Sequence, residues 1–468
     1  MNRRDFIKLM TGAAVVGATT AVGCDKISRH GDATQNVIDG TGTMTYRVNP
    51  NTGDKVSLLG YGMMRLPVEG GGAARENPDS PIDQELVNKQ VDYALEHGVN
   101  YFDTSPVYCK GLSERSTGIA LSRHPRDAYF IATKMSNFGP ETWPAKASKL
   151  IFENSLKELQ TDYVDYLLLH GVGMPGGGKN GMEAFYGRFV DNGILDWLVE
   201  QKNNGRIRNL GFSYHGDVAV FDMLLRWHNE GKYHWDFAQI ELNYLDWEYA
   251  NEINPRNTDA VYLYEELHKR GIMAVIMEPL LGGRLASLSP SIMARLQTRE
   301  PQSSAARWAF RYAGTPQGVL TVLSGMTYME HLIENVNTYS PLRPLSDDEN
   351  RLMMLIAKDV YELKAVPCTA CNYCMPCPYG IDIPGNFQHY NKSISDDTMP
   401  PHDCNAEQYK ALRKKFLADY DRRVPKLRQA NHCIGCNHCV QHCPQSINIP
   451  AELQRIDNFV EYLKQHPA

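Results

Sequence analysis

The chain has 468 residues, 43% hydrophobic and 22% charged, which allows two or three domains of ordinary globular composition. A net charge of −6 leaves no basic footprint for nucleic acid. Of eleven cysteines, eight fall in two C-terminal quartets, and the odd remainder of Cys24, Cys109 and Cys404 argues against a disulfide framework.

In chain order, the first feature is an address. Asn2-Arg3-Arg4-Asp5-Phe6-Ile7-Lys8 resembles a twin-arginine export signal, with paired Arg, an aromatic, an aliphatic and then Lys. The stretch from Leu9 to Gly23 is rich in Gly, Ala and Thr, too short and too mild for a membrane span. Ala21-Val22-Gly23-Cys24 has the outline of a lipoprotein cleavage box, with Ala where Leu is usual; a lipid on Cys24 would tether the protein to a membrane surface. These residues predict export by the twin-arginine route to the periplasm or cell envelope, with a lipid anchor as an option and a basic cytosolic N-terminus as the alternative. Residues 1–45 read as signal plus a Gly-, Thr- and Asp-rich tether.

From Tyr46 onward, short aliphatic runs alternate with amphipathic stretches. Val56–Gly62, Val99–Asp103, Tyr129–Lys134, Tyr166–His170, Arg208–Ser213, Phe237–Asn243, Met273–Met277 and Leu320–Ser324 read as strands. Helical patterns fill the gaps, among them Glu85–His97, Ser148–Leu159, Asp217–Asn229, Asp259–Lys269 and Met329–Asn337. Eight such strands predict an α/β fold, a (β/α)8 TIM barrel over residues 46–345. A doubly wound sheet is disfavoured, because no G-x-G-x-x-G follows the early strands. Val68–Asp83, Val172–Arg188 and Asp246–Thr258 read as long loops that shape a substrate mouth.

Four chemistry-bearing side chains fall at or just past three successive strand ends: Asp103, Tyr108, Lys134 and His170. Singly each has an ordinary reading as a turn cap, a rim phenol, a solvated ammonium or a satisfied rim imidazole. Together, on the face where barrels place their chemistry, they read as a site.

Ser340-Pro341-Leu342-Arg343-Pro344 ends the barrel pattern, and Ser346 with Glu349 forms a capping box that starts a helix. Residues 346–468 read as a small, mostly helical, ferredoxin-like iron–sulfur domain. Cys433, Cys436, Cys439 and Cys443, followed by Pro444, match C-x2-C-x2-C-x3-C-P, the run that holds cubane clusters. Three thiolates on one tight loop grip three corners of a cube, and the fourth leaves the loop and can reach another cluster. Cys368, Cys371, Cys374 and Cys377, followed by Pro378, depart by one residue, which shifts the fourth ligand or leaves that site imperfect. Zinc prefers two separated pairs, so a third Cys on the same interval is surplus. Ile381-Asp382-Ile383-Pro384 and Ile447-Asn448-Ile449-Pro450 repeat one theme after each quartet, as expected of a two-cluster module.

On the strand-end residues, and on Gly211-Phe212-Ser213, Gln239-Ile240-Glu241, Asn243-Tyr244 and Glu334-Asn335-Val336, the chain from about Tyr46 to Ser340 resembles the aldo/keto reductase family. The branch with a C-terminal iron–sulfur extension is the nearest in pattern. The resemblance implies an oxidoreductase that interconverts a carbonyl and an alcohol with NAD(P). Tyr108 would be the general acid, its pKa lowered by Lys134; Asp103 would hold Lys134, and His170 would orient the carbonyl. By the same resemblance Ser213 and Gln239 would hold the nicotinamide carboxamide, with Met277 where a stacking Tyr is usual. Glu278, Pro279, Leu280, Gly282, Gly283 and Arg284 would wrap the pyrophosphate, and Ser324, Gly325, Met326, Glu334 and Asn335 would lie by the adenosine. Tyr214 replaces a usual Asn, and His331 stands where a basic residue often grips the 2′-phosphate, so NAD and NADP stay undecided.

No flavin fingerprint is visible to link two-electron hydride to one-electron clusters. The clusters are therefore structural, or they wire the barrel to an outside redox partner protein; the missing flavin tilts the reading to a structural role. The competing classes are an exported electron-transfer protein with the barrel as docking scaffold, and a sugar oxidoreductase with a permanently bound dinucleotide. The expected partner is a small carbonyl or sugar.

Overall fold

The computed structural model describes residues 42–254, 257–400 and 406–467. Residues 2–8, which resemble an export signal, Cys24 and Cys404 lie outside these residues. Among the described residues no helix is long and apolar enough to cross a membrane.

Two short strands, β1 (Tyr46–Val48) and β2 (Lys55–Ser57), form an antiparallel hairpin. Eight strands follow: β3 (Leu59–Gly62), β4 (Tyr101–Asp103), β5 (Phe130–Met135), β6 (Val164–Val172), β7 (Ile207–Tyr214), β8 (Phe237–Glu241), β9 (Met273–Met277) and β10 (Val319–Ser324). They close in the order β10-β3-β4-β5-β6-β7-β8-β9, and every neighbouring pair is parallel. The strands are buried on both faces, β6 along its whole length, which is why they read as continuous apolar runs rather than alternating ones.

The run Val56–Gly62, expected to be one strand, is two. The Ser57 hydroxyl donates to the Leu59 carbonyl at 2.7 Å, and the Ser57 amide donates to Asn100 Oδ1 at 2.8 Å, so the chain leaves the hairpin at Leu58 and enters the barrel. Asn49, in the hairpin turn, is buried and donates to Tyr166 Oη (3.3 Å) and Asn209 Oδ1 (3.0 Å). The hairpin thus covers the end of the barrel where β6 and β7 begin. Inside, Tyr101, Tyr166 and Phe237 stack edge-on with ring centroids 5.1 Å apart for each successive pair. Chemistry is left the opposite, C-terminal end.

The segment Asp246–Thr258, expected to be loop, contains a helix, Asp246–Ile253. Asn243 Oδ1 accepts the Leu245 and Asp246 amides at 3.0 and 2.9 Å, and this side-chain cap supplies the missing helix start. The helix Asp347–Glu362 begins at the Ser346–Glu349 capping box, but its Met353, Ile356, Ala357 and Val360 join the barrel core. A second core therefore begins at Val366 rather than at residue 346, and runs through Phe387, Phe416, Tyr420, Ile456 and Val460. The repeated Ile-Asp/Asn-Ile-Pro theme is a helix start: Asp382 caps Ile383–Ser395, Asn448 caps Ile449–Gln465, and Pro sits in each first turn.

Candidate active site

Asp103 ends β4, Lys134 lies in β5, His170 lies in β6, and Tyr108 opens the short turn after β4. Lys134 Nζ donates to Asp103 Oδ1 at 2.6 Å and to the Thr104 carbonyl at 2.8 Å, and both ionic side chains are buried. Lys134 Nζ stands 5.0 Å from the centre of the Tyr108 ring. The Tyr108 and His170 rings meet edge to face with centroids 5.9 Å apart. Ser136 Oγ lies 2.6 Å from His170 Nδ1, and Arg188 holds the His170 carbonyl at 2.5 Å. The strand register thus brings all four predicted residues to one place.

Burial governs the charges. It pushes His170 well below the usual imidazole range, and the charges of Lys134, Arg188 and His215 add to the effect, so His170 is neutral. Burial raises Asp103 and lowers Lys134, while their mutual attraction opposes both shifts. Tyr108 differs from expectation. Its phenol is pushed well above 10 by burial, with Asp103 and Tyr373 adding to the rise, rather than down by Lys134. The reason is geometric: the Lys134 ammonium is directed to Asp103 and Thr104. Tyr108 is a fully protonated phenol and His170 a neutral ring, a pair of neutral donors.

These groups line a cavity of about 420 Å³ at the open end of the barrel. Ser213, Gln239 and Met277 line its floor region from β7, β8 and β9, and Glu278, Pro279, Leu280, Gly282 and Gly283 continue along one side. Ser324, Gly325, Glu334 and Asn335 line a further stretch, where Asn335 Nδ2 donates to Ser324 Oγ at 3.0 Å. Gly282 and Gly283 have φ of 68° and 98°, and a Cβ on Gly283 would meet nothing, so backbone is open to a ligand there.

Two predicted cofactor residues lie elsewhere. Met326 is buried, and its carbonyl accepts from Tyr61 Oη at 2.8 Å. Arg284 does not line the cavity: the left-handed Gly282-Gly283 turn carries it toward Asp246 and Cys368, whose charges bear on it. Positive charge at the cavity comes instead from Arg65, which follows β3 and packs its stem against Gly325. Arg65 follows the end of the first barrel strand, as Asp103, Lys134 and His170 stand at or near the ends of the next three, and that shared position is its signal in the sequence. Tyr214 turns outward to the Gly216 carbonyl (2.5 Å) and Thr258 Oγ1 (2.9 Å), and His215, 3.4 Å from Glu241, faces the cavity instead. His331 also lines it. Cys109 turns its thiol toward the Met63 and Met64 carbonyls, an ordinary rim thiol. The donor set and the open glycine backbone fit a dinucleotide lying along this cavity.

Cys368, Cys371 and Cys374 line one small cavity together with Cys443, the last cysteine of the other quartet. Cys439 is in electrostatic reach of Cys433, Cys436 and Cys377. The fourth cysteine of the second quartet therefore crosses to the first set, and Cys377 lies on the side of Cys439. Among the described residues no three His, Cys, Asp or Glu are arranged to hold a single metal ion. Four thiols instead stand around the walls of a cavity, as a cube with ligands at its corners needs. Burial pushes Cys368 up to about 11 and Cys443 up to about 12, so iron binding releases protons. His432, His438 and His442 are exposed beside the second set.

Residues 58–356 match the aldo/keto reductase family and residues 367–448 match the 4Fe-4S dicluster domain. The chain is similar to L-galactose dehydrogenase of Arabidopsis thaliana, with 24% identity over 326 residues, 64% of this chain and 90% of that protein. It is 37% identical over 132 residues to D-arabinose 1-dehydrogenase of Saccharomyces cerevisiae, 26% of this chain and 35% of that protein. Among solved structures, the holo form of aldo-keto reductase AKR11C1 from Bacillus halodurans superposes with a TM-score of 0.51 at 21% identity, over 67% of this chain and 96% of that one.

Proposed function

Because the chain belongs to the aldo/keto reductase family and carries a 4Fe-4S dicluster domain, it is an oxidoreductase, and we propose that it interconverts a carbonyl and an alcohol with NAD(P), acting on sugar-like substrates. The observation that carries this reading is the convergence of Asp103, Tyr108, Lys134 and His170 on one cavity wall or directly behind it. A nicotinamide bound near Ser213 and Gln239 would supply or accept the hydride.

The chain's own residues handle the oxygen. In reduction Tyr108 gives its proton to the carbonyl oxygen as negative charge develops there, and neutral His170 donates a second hydrogen bond. The Lys134 ammonium is held to Asp103 and Thr104, 5.0 Å from the centre of the phenol ring, so Tyr108 keeps its proton until the developing oxyanion takes it. The proton then returns from solvent or, in the oxidising direction, from the alcohol. Arg65 would offer charge to a diphosphate, and Glu334 and Asn335, which line the same cavity, would meet the far end of the dinucleotide. Sugar-like substrates are supported by the names of two relatives and by His215, Glu241 and Gln445 on the cavity wall, which offer partners to several hydroxyls. The crossed thiol sets support two 4Fe-4S clusters.

The test is Tyr108→Phe in anaerobically purified protein, assayed with NAD(H) and NADP(H) against a panel of aldoses and small aldehydes. Loss of about 10²–10⁴-fold in turnover with cluster absorbance intact is expected. Full activity in the variant, or none in the parent chain, would end this reading and favour an electron-carrying protein.

A further inference from the structure

The iron–sulfur module does not hang from the barrel by a linker; it lies across the barrel's open end. Arg75, buried in the loop after β3, donates to the Thr369 carbonyl, and Asn372 Nδ2 donates back to the Arg75 carbonyl at 2.6 Å. Gly282 approaches so closely that a Cβ there would stand 2.4 Å from Thr369 Cα. The second cysteine loop docks independently. Asn254 Nδ2 donates to the Gln445 and Ser446 carbonyls at 2.7 and 2.5 Å, and Gln445 Nε2 donates to Glu241 Oε1 at 2.6 Å.

The result is a shared cavity. Thr369, Cys371, Tyr373, Pro444 and Gln445 line the same space as Tyr108 and His170. Four of these five residues lie within two positions of a quartet cysteine in sequence, and the fifth, Cys371, is such a cysteine. Tyr373 makes no hydrogen bond through its hydroxyl among the described residues, so a ring and a free polar tip face an enclosure in which the barrel supplies the chemistry.

We propose that the iron–sulfur module is a wall of the substrate site: Tyr373 contacts the substrate and selects it, and Cys371 sets the nearer cluster at the edge of the same enclosure. This rests on the carbonyl–alcohol reading and deepens it by naming the surface that chooses the substrate. A phenol presents an apolar face with a hydroxyl at its end, which suits the alternating C–H and O–H surface of a neutral polyol or aldose. No electron passes from hydride to cluster in this proposal. The link is electrostatic. A cluster's potential depends on its solvent exposure and nearby charge. An occupant of the cavity displaces water beside Cys371, which disfavours the reduced cluster with its extra negative charge, so filling the cavity lowers the potential. By reciprocity, reducing the cluster weakens the occupant's binding by the same factor.

The experiment uses anaerobic holoprotein of the full chain, with Tyr373→Ala and Tyr373→Phe. Iron content and cluster absorbance are checked first. With whichever aldose of the panel the parent turns over, the alanine variant is expected to raise KM about tenfold, the scale set by losing one buried aromatic contact, while kcat changes less. The phenylalanine variant falls between them. Independently, an EPR-monitored redox titration of the parent is run alone and with saturating NADP⁺ plus D-arabinose or L-galactose. A shift to lower potential with the additions supports the proposal, and needs no turnover, so it decides even where the carbonyl chemistry fails. An unchanged KM in the alanine variant, or a potential indifferent to the additions, overturns it. Should the alanine variant lose iron, the phenylalanine variant and the parent titration decide.

Discussion

The barrel and the iron–sulfur module reach order by different means. The barrel buries two clusters: one between all eight strands and the helices around them, ending in the helix Asp347–Glu362, and one inside the strands built on Tyr101, Tyr166, Phe237 and Leu320. It is self-sufficient, and can bury an ion pair and a neutral imidazole at its mouth. In the module the chain forms neither helix nor strand between Glu362 and Ile383, and only single 3₁₀ turns between Arg423 and Ile449. Its core comes from three helices, and both cysteine loops lean on it and on the barrel. Side-chain burial shapes the first region; in the second, metal ligation has to finish what burial begins.

The largest expected effect separates the two. Removing the clusters by chelation and oxidation should unfold the cysteine loops and loosen the helices Ile383–Ser395 and Ile449–Gln465, while the barrel stays folded. Limited proteolysis with mass spectrometry should show new cuts after Val366 and none within β3 to β10. The cavity would lose a wall at the same time, so aldose KM should rise with the loss of iron. A cluster-free module as protease-resistant as the holoprotein would erase the contrast.

A smaller effect probes the barrel's own tolerance. Lys134→Met leaves Asp103 buried without its partner, a loss of about 3–5 kcal/mol by the general cost of breaking a buried pair. Urea unfolding followed by barrel tryptophan fluorescence measures it. Adding Asp103→Asn should recover most of the loss without recovering activity. A single variant as stable as the parent would mean that the carboxyl is already protonated in the barrel.

The parts legible in the sequence were those carried by local pattern. Strand ends, the capping box at Ser346 and the quartet spacings each depend on neighbours in the chain, so Asp103, Lys134 and His170 could be placed. The helix Ser113–Leu121 escaped notice because Gly and Ser break up its apolar face. The resemblance sends Arg284 to the pyrophosphate, yet the Gly282-Gly283 turn leaves it off the cavity, with Asp246 and Cys368, distant in sequence, as neighbours. Tyr373 was invisible for the same reason. Nothing near it says that Arg75 and Asn254, 298 and 119 positions away by the numbering, will pull two cysteine loops over the barrel mouth. The raised Tyr108 phenol likewise needed the enclosure to be seen.

The smallest effect sharpens the comparison through pH. His389 is buried in the module between Phe416 and Tyr420, with ring centroids 4.6 and 5.1 Å away, and its Nε2 has no hydrogen-bond partner. Burial, with the charge of Arg423, holds it down to about 4. Above pH ~6.5 it is neutral in folded and unfolded chains and contributes nothing to the pH dependence. As pH falls below that, the unfolded chain takes up a proton that the folded module refuses, so stability is lost at up to about 1.4 kcal/mol per pH unit until about pH 4. In the barrel the depressed His170 and His215 act in the same sense, but Glu114, pushed up to about 7, and Asp246, pushed up to about 6, gain protons on folding and oppose them. Hydrogen exchange between pH 6.5 and 5 should therefore show protection in Ile383–Ser395 falling faster than in the barrel strands, once corrected for intrinsic rates. His389→Phe should flatten the module's slope and leave the barrel's alone; equal slopes in the two regions of the parent chain would show that the module shares the barrel's stability instead of holding its own.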